Sequence, residues 1–160
     1  MTRPVIIFET GHAQRIHDAL SDLVPGIGAP HEYNDLGVAM GSVYPLTVPT
    51  GGVVAGNRYS DVRTAVYVMT DDVRGVRYVG SIHRLRSGLP ARLREHFANA
   101  RAGHSFWTRV GLVRLPDGLG ARTVQHCEGW VGRALDPLDN RKLPMVGDTA
   151  WRPRPQPRAA

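Results

Sequence analysis

The alternation of apolar and polar positions divides the chain into segments of different character. Near the N-terminus an apolar run, "PVIIF", precedes "TGHAQRIHDALSDLV", in which Ala13, Ile16, Leu20 and Leu23 recur at spacings of three or four and predict a helix. Residues 25–60 are rich in Gly and Pro with only short apolar fragments, and read as loops with a short hairpin at most. From Arg63 the pattern sharpens. "TAVYVMT" and "VRYVGSI" are strand candidates joined by the Asp/Gly turn "DDVRG", which predicts a β-hairpin. "SGLPARLREHFANARAG" predicts a helix, with Ser87 able to cap it, Pro90 tolerated in its first turn and Gly103 able to end it. "FWTRVGLVRLP" supplies a third strand, "DGLG" a turn and "ARTVQHCEGWVGRAL" a further helix, followed by the loop "DPLDNRKLP" and a Pro/Arg tail, "RPRPQPRAA", that reads as disordered.

The same periodicity exposes polar residues where apolar ones belong. Leu89, Leu93, Phe97 and Ala100 form the apolar stripe of the first of the two later helices, and Arg92 and His96 sit at its edge. Arg94, Glu95 and Arg101 fall outside the stripe and are expected in solvent. The bland account is a snorkelling arginine and a satisfied helix histidine. In the second helix Glu128 lies inside the stripe made by Val124, Cys127, Val131 and Leu135. A lone carboxylate buried there is neutralised by a pKa rise or needs a partner. Two partners answer the need: an ion pair with Arg92 that joins the helices, or a metal. Tyr67 and Tyr78 stand on neighbouring strand candidates, where they either pack as strand tyrosines commonly do or send both hydroxyls to one edge.

Composition narrows the setting. A length of 160 residues with 42% hydrophobic residues suits one domain, or one small domain plus an arm. The formal charge is +6, Arg greatly outnumbers Lys, and a positive field of this kind favours polyanionic partners. The single cysteine, Cys127, excludes an intrachain disulfide scaffold. "PVIIF" is too short for a signal or membrane segment, so the expected setting is cytoplasmic, with no membrane partner.

Taken in order, these residues resemble a GIY-YIG nuclease domain. Tyr67 in "AVY" and Tyr78 in "YVG", with Gly80 beside it, match the two signature tyrosine motifs. Arg92 and His96 match the helix arginine and the histidine one turn later, His104 a further histidine of some members, Glu128 the metal-binding glutamate and Asn140 the late asparagine. The match covers about residues 63–146, and departs from the pattern in lacking a leading Gly and having Val for Ile in "AVY".

The resemblance implies an α+β fold, a small three-stranded antiparallel sheet flanked by helices over residues 61–147, with residues 1–60 as an N-terminal extension and 148–160 as the tail. It implies hydrolysis of DNA phosphodiesters with one divalent metal, Mg²⁺ or Mn²⁺, held by Glu128. Tyr67, Tyr78, His96, His104 and Asn140 would be catalytic, Arg92 would bind the scissile phosphate, and Gly80, Arg84 and Arg94 would lie along the DNA backbone. A homodimer on the duplex is compatible with it. Two other readings compete: a non-catalytic nucleic-acid-binding module on the same fold, and a zinc site from His96, His104, His126 and Cys127, whose spacing is irregular and whose last two members are adjacent.

Overall fold

A computed structural model describes residues 12–24, 27, 42–56, 59–71, 75–98 and 107–146. The elements are α1 (His12–Leu20), β1 (Ser42–Pro49), α2 (Thr50–Ala55), β2 (Thr64–Thr70), β3 (Val76–His83), α3 (Leu89–Ala98), β4 (Arg109–Arg114) and α4 (Ala121–Leu135). The class is α+β. "PVIIF", His104, Gly103 and the tail lie outside the described residues.

The strand order is β1-β4-β2-β3, antiparallel throughout. β2, β3 and β4 form the three-stranded unit that the pattern predicts. β1 adds a fourth strand along β4, where loops or a local hairpin were expected. Its sequence "SVYPLTVP" carries two prolines, which a local reading treats as strand breakers. An edge strand tolerates proline because one side of it needs no ladder donor, and its partner lies sixty or more residues downstream, beyond any local signal.

β2 is central and buried along its whole length, because helices cover both faces of the sheet. Val66 and Val68 join Val79 and Val113 on one face, packed under Ile16 and Leu20 of α1 and Val124, Cys127 and Val131 of α4. Ala65, Tyr67 and Met69 join Ile82, Val110 and Leu112 on the other, packed under Val53 of α2 and Leu89 and Leu93 of α3. Parts of residues 1–60 are therefore built into both core layers.

α3 starts close to the expected point. Gly88 lies so close to Ser60 that a Cβ there would collide with the Ser60 backbone carbonyl, and Leu89 N–H donates to Val62 O at 2.9 Å. The Ser87 hydroxyl accepts from Arg84 Nη1 at 3.2 Å. α4 spans the predicted residues and ends on Asp136 in the left-handed region, φ 50°. Gly129 and Gly132 let Val146 and Leu143 press against the helix, so the chain after α4 folds back over it.

That returning chain finishes the outer edge of β3. Leu138 N–H donates to Val76 O at 3.1 Å and Asp139 N–H to Arg77 O at 2.7 Å. Asn140 then acts as a side-chain peptide: its Oδ1 accepts from Val79 N–H and its Nδ2 donates to Val79 O, each at 2.9 Å. Among the described residues no helix is long and apolar enough to cross a membrane.

Candidate functional site

Tyr67 stands opposite Gly80 in the β2–β3 ladder. A Cβ at Gly80 would collide with the Tyr67 hydroxyl and ring and with the Tyr78 ring, so only glycine leaves room for the phenol to cross β3. Gly80→Ala is expected to lower stability by about 1–3 kcal/mol, as overpacking does. Urea denaturation measures it, and an unchanged midpoint would contradict this packing.

The Tyr67 side chain is fully buried, and its hydroxyl lies 2.6 Å from His96 Nε2. Arg92, one turn earlier on α3, hydrogen-bonds the same hydroxyl. A guanidinium only donates, so the phenolic oxygen accepts from Arg92; in the tautomer that leaves His96 Nε2 unprotonated, the phenolic proton is donated to that nitrogen. Burial, then the neighbouring Tyr78, push the Tyr67 pKa above the ordinary tyrosine range, while the Arg92 charge and hydrogen bond pull it back. Tyr78 packs edge-on to His96 with ring centroids 5.2 Å apart and stacks on Trp107 at 4.7 Å. Trp107 is fixed in turn by Nε1 donating to Asp139 Oδ2 at 2.8 Å, and Asp139 also takes a two-point contact from Arg77.

Glu128 reaches this group from the other layer. Asn140 occupies the edge-facing groups of Val79, and two residues on, where the alternation of the strand repeats, Ser81 N–H turns off the same edge. That N–H and the Ser81 hydroxyl both donate to the Glu128 carboxylate. Burial pushes the Glu128 pKa up, and the two Ser81 contacts and the Arg92 charge pull it part of the way back. The carboxylate charge also raises the Tyr67 pKa slightly, and its Ser81 partner is the residue next to Gly80. The direct Glu128–Arg92 ion pair considered from sequence is not the arrangement: Arg92 Nη1 pairs with Glu95 Oε2 at 3.2 Å.

No family model matches the chain, and comparison with curated proteins and with solved structures gives no match. The reading of the site therefore rests on its own geometry.

Tyr67, Tyr78, Arg92, His96 and Glu128 converge at the Gly80 gap, drawn from β2, β3, α3 and α4. Asn140 touches none of the described acid–base groups directly and instead holds the strand that presents Tyr78, Gly80 and Ser81. Arg84 is joined to the group through Glu95, whose carboxylate accepts from Arg84 Nη1 at 2.7 Å and Nη2 at 2.6 Å. Glu95, expected in solvent alone, thus bridges Arg84 and Arg92; its hydrogen bond from Arg84 holds its pKa down to about 2. Arg94 points elsewhere, donating to Val54 O of α2 at 2.9 Å.

Three contributors were not singled out in the sequence. Ser81 follows Gly80 directly, and its edge-facing N–H could have been inferred from strand alternation. The Arg92–Glu95 pair has the ordinary i,i+3 helix spacing. Trp107 carried no signal beyond being an aromatic residue before a strand.

A divalent cation suits this setting. Glu128 offers one partly buried carboxylate whose charge is disfavoured by burial, with the Ser81 hydroxyl beside it. That is a hard-oxygen donor set of the kind a Mg²⁺-type ion completes with water and phosphate. The zinc arrangement has less to stand on. Among the described residues no three His, Cys, Asp or Glu side chains are grouped to hold a metal. Cys127 is buried in the core under α4, and burial pushes its thiol up to about 11, away from the thiolate that zinc requires.

Proposed function

We propose that this chain is a metal-dependent DNA endonuclease with GIY-YIG-type chemistry. The observation that carries the reading is the convergence of Tyr67, Arg92, His96 and Glu128 at one gap in the sheet edge, from three separate elements. A core does not require two basic groups, a phenol and a carboxylate in one place, whereas phosphodiester hydrolysis has a use for each of them, in water activation, charge stabilisation and metal binding.

The geometry supports the following roles. Arg92 presents a donor fork to the non-bridging oxygens of the scissile phosphate, where negative charge grows in the transition state. Tyr67 is a poor base by itself because its pKa is raised. Its hydrogen bond to His96 repairs this: as the phenolic oxygen takes a proton from the attacking water, the phenolic proton passes to His96 Nε2. The new bond joins the water oxygen to phosphorus, and the P–O bond to the leaving sugar oxygen breaks. Tyr78, wedged between His96 and Trp107, fixes the ring positions on which this relay depends. Asn140 holds the Val79 backbone of β3 beneath it. Glu128 would hold the metal, and Mg²⁺ or Mn²⁺ bound there would supply Lewis-acid stabilisation of developing negative charge. Arginine contacts to the DNA backbone give affinity with little sequence choice.

The test is supercoiled plasmid incubated with the protein in Mg²⁺, in Mn²⁺ and in EDTA. Nicked or linear DNA in the metal lanes alone supports the reading. Intact plasmid in every lane, with a gel shift that fades as salt rises, would replace it with a DNA-binding module on the same fold.

A further inference from the structure

Glu95 does not fit the site as described. It is a carboxylate placed among the groups that would meet a phosphate. Both of its oxygens are engaged by Arg84, at 2.7 and 2.6 Å, and Oε2 is shared with Arg92 Nη1 at 3.2 Å. One anionic oxygen between two guanidinium groups, one of which also holds the Tyr67 hydroxyl, is the pattern a phosphoryl oxygen would adopt. The three side chains are 29%, 33% and 46% exposed for Arg84, Arg92 and Glu95, so solvent and a ligand can reach the cluster. The loop that carries Arg84 is held firmly. Arg84 N–H donates to Arg63 O at 3.0 Å, Arg63 Nη1 donates to Leu85 O at 3.0 Å, and Arg84 Nη1 also reaches Ser87. Leu85, at 86% exposed, stands out from that fixed loop beside the arginines.

We propose that Arg84 and Arg92 form a two-arginine phosphodiester site, and that in the free protein the Glu95 carboxylate occupies it and must swing out when a DNA strand binds. This deepens the nuclease reading and rests on it for the identity of the ligand as DNA. Glu95 rotates on three side-chain bonds at an exposed position, so it can leave without any backbone change. Occupation by Glu95 keeps the two guanidinium groups pre-aligned in the empty state. The exchange of carboxylate for phosphate weakens binding only modestly, since exposed ion pairs are weak. It also makes the protein less adhesive to stray polyanions than its charge of +6 suggests.

The test measures binding of a fluorescein-labelled DNA duplex in EDTA, over a series of salt concentrations, for the wild type, Glu95→Gln, Arg84→Ala and the double variant. Glu95→Gln is expected to bind roughly two- to fivefold tighter, the range set by one exposed ion pair. Its slope of log affinity against log salt is expected to steepen by about one, the signature of one more phosphate contact. In the Arg84→Ala background the tightening should shrink or vanish. Glu95→Ala, which removes the amide as well, should reproduce the gain. If Glu95 only ties the β3–α3 loop to α3, Glu95→Gln will bind equally or more weakly at every salt and melt at a lower temperature, and the proposal falls. Absence of duplex binding by both wild type and Glu95→Gln overturns it equally. Plasmid cleavage separates the two readings. Cutting by the wild type without the Glu95→Gln gain removes only this inference. The gain without any cutting removes the chemistry and leaves the phosphate site in place.

Discussion

Arg92→Ala is expected to lower the rate of plasmid cleavage by about 10²–10³-fold, the loss typical of removing one preorganised donor from developing charge. Arg92 has two assignments in the geometry. It would meet the phosphoryl oxygens, and it already holds the Tyr67 hydroxyl beside His96 Nε2. Alanine removes both, and the tyrosine loses the cation that keeps its raised pKa in check. Folding should suffer little, because Arg92 sits at the edge of the α3 stripe while Leu89 and Leu93 fill the core. Single-turnover cleavage at saturating protein isolates the chemical step from DNA binding. A rate within about threefold of wild type, well short of one such donor, would remove Arg92 from the chemistry. Lysine should recover little, since a point charge cannot donate to phosphate and phenol in a planar fork.

Glu128→Gln is expected to abolish metal-dependent cleavage while leaving the fold intact or slightly steadier. The second half of that expectation follows from linkage. Burial raises the folded-state pKa of Glu128 above its value in the unfolded chain. Between those two values the folded state binds more protons than the unfolded state, so this group's contribution to stability falls as pH rises through that window. Above that window, in the absence of metal, the carboxylate is therefore a burden on the fold. Glutamine carries no such charge and can still accept from Ser81. Thermal melts in EDTA at pH 7 should give the variant a midpoint equal to or above that of wild type. Adding Mn²⁺ should raise the wild-type midpoint and leave the variant where it was, because only a ligand that binds the native state stabilises it. Equal cutting of plasmid by both proteins would remove Glu128 from the site.

Much of the architecture could be read from local pattern because local pattern caused it. α4 coincides with its predicted span, since an apolar stripe interrupted by one glutamate has few other ways to bury itself. The β2–β3 hairpin follows from two apolar runs and an Asp/Gly turn, in which Gly75 N–H is held by Asp71 Oδ1 at 2.7 Å. β1 was not legible, because its pairing with β4 depends on a strand far along the chain and its prolines argue against a strand. Within the site, residues at stripe edges stood out because polarity there needs a reason: Arg92, His96 and Glu128 were found in that way. Glu95 was missed for the complementary reason. A carboxylate on an exposed face looks satisfied by water, and only the fold brings Arg84 of the preceding loop within 2.6 Å of it. The clasp that Asn140 makes on Val79 was also not legible, since the resemblance marked the residue only as catalytic and its backbone partner lies sixty-one residues earlier.

The clasp on β3 has a consequence for solubility. An unpaired strand edge is a template on which another chain can add itself. Here the carbonyls of Val76 and Arg77 accept from Leu138 and Asp139, both backbone groups of Val79 serve Asn140, and Ser81 N–H serves Glu128. The hydrogen bonds that position the candidate catalytic groups are thus the same ones that deny the strand to a neighbour. Variants that loosen this edge, Asn140→Ala above all, should show their first defect as self-association in the test tube, before any change in chemistry becomes measurable.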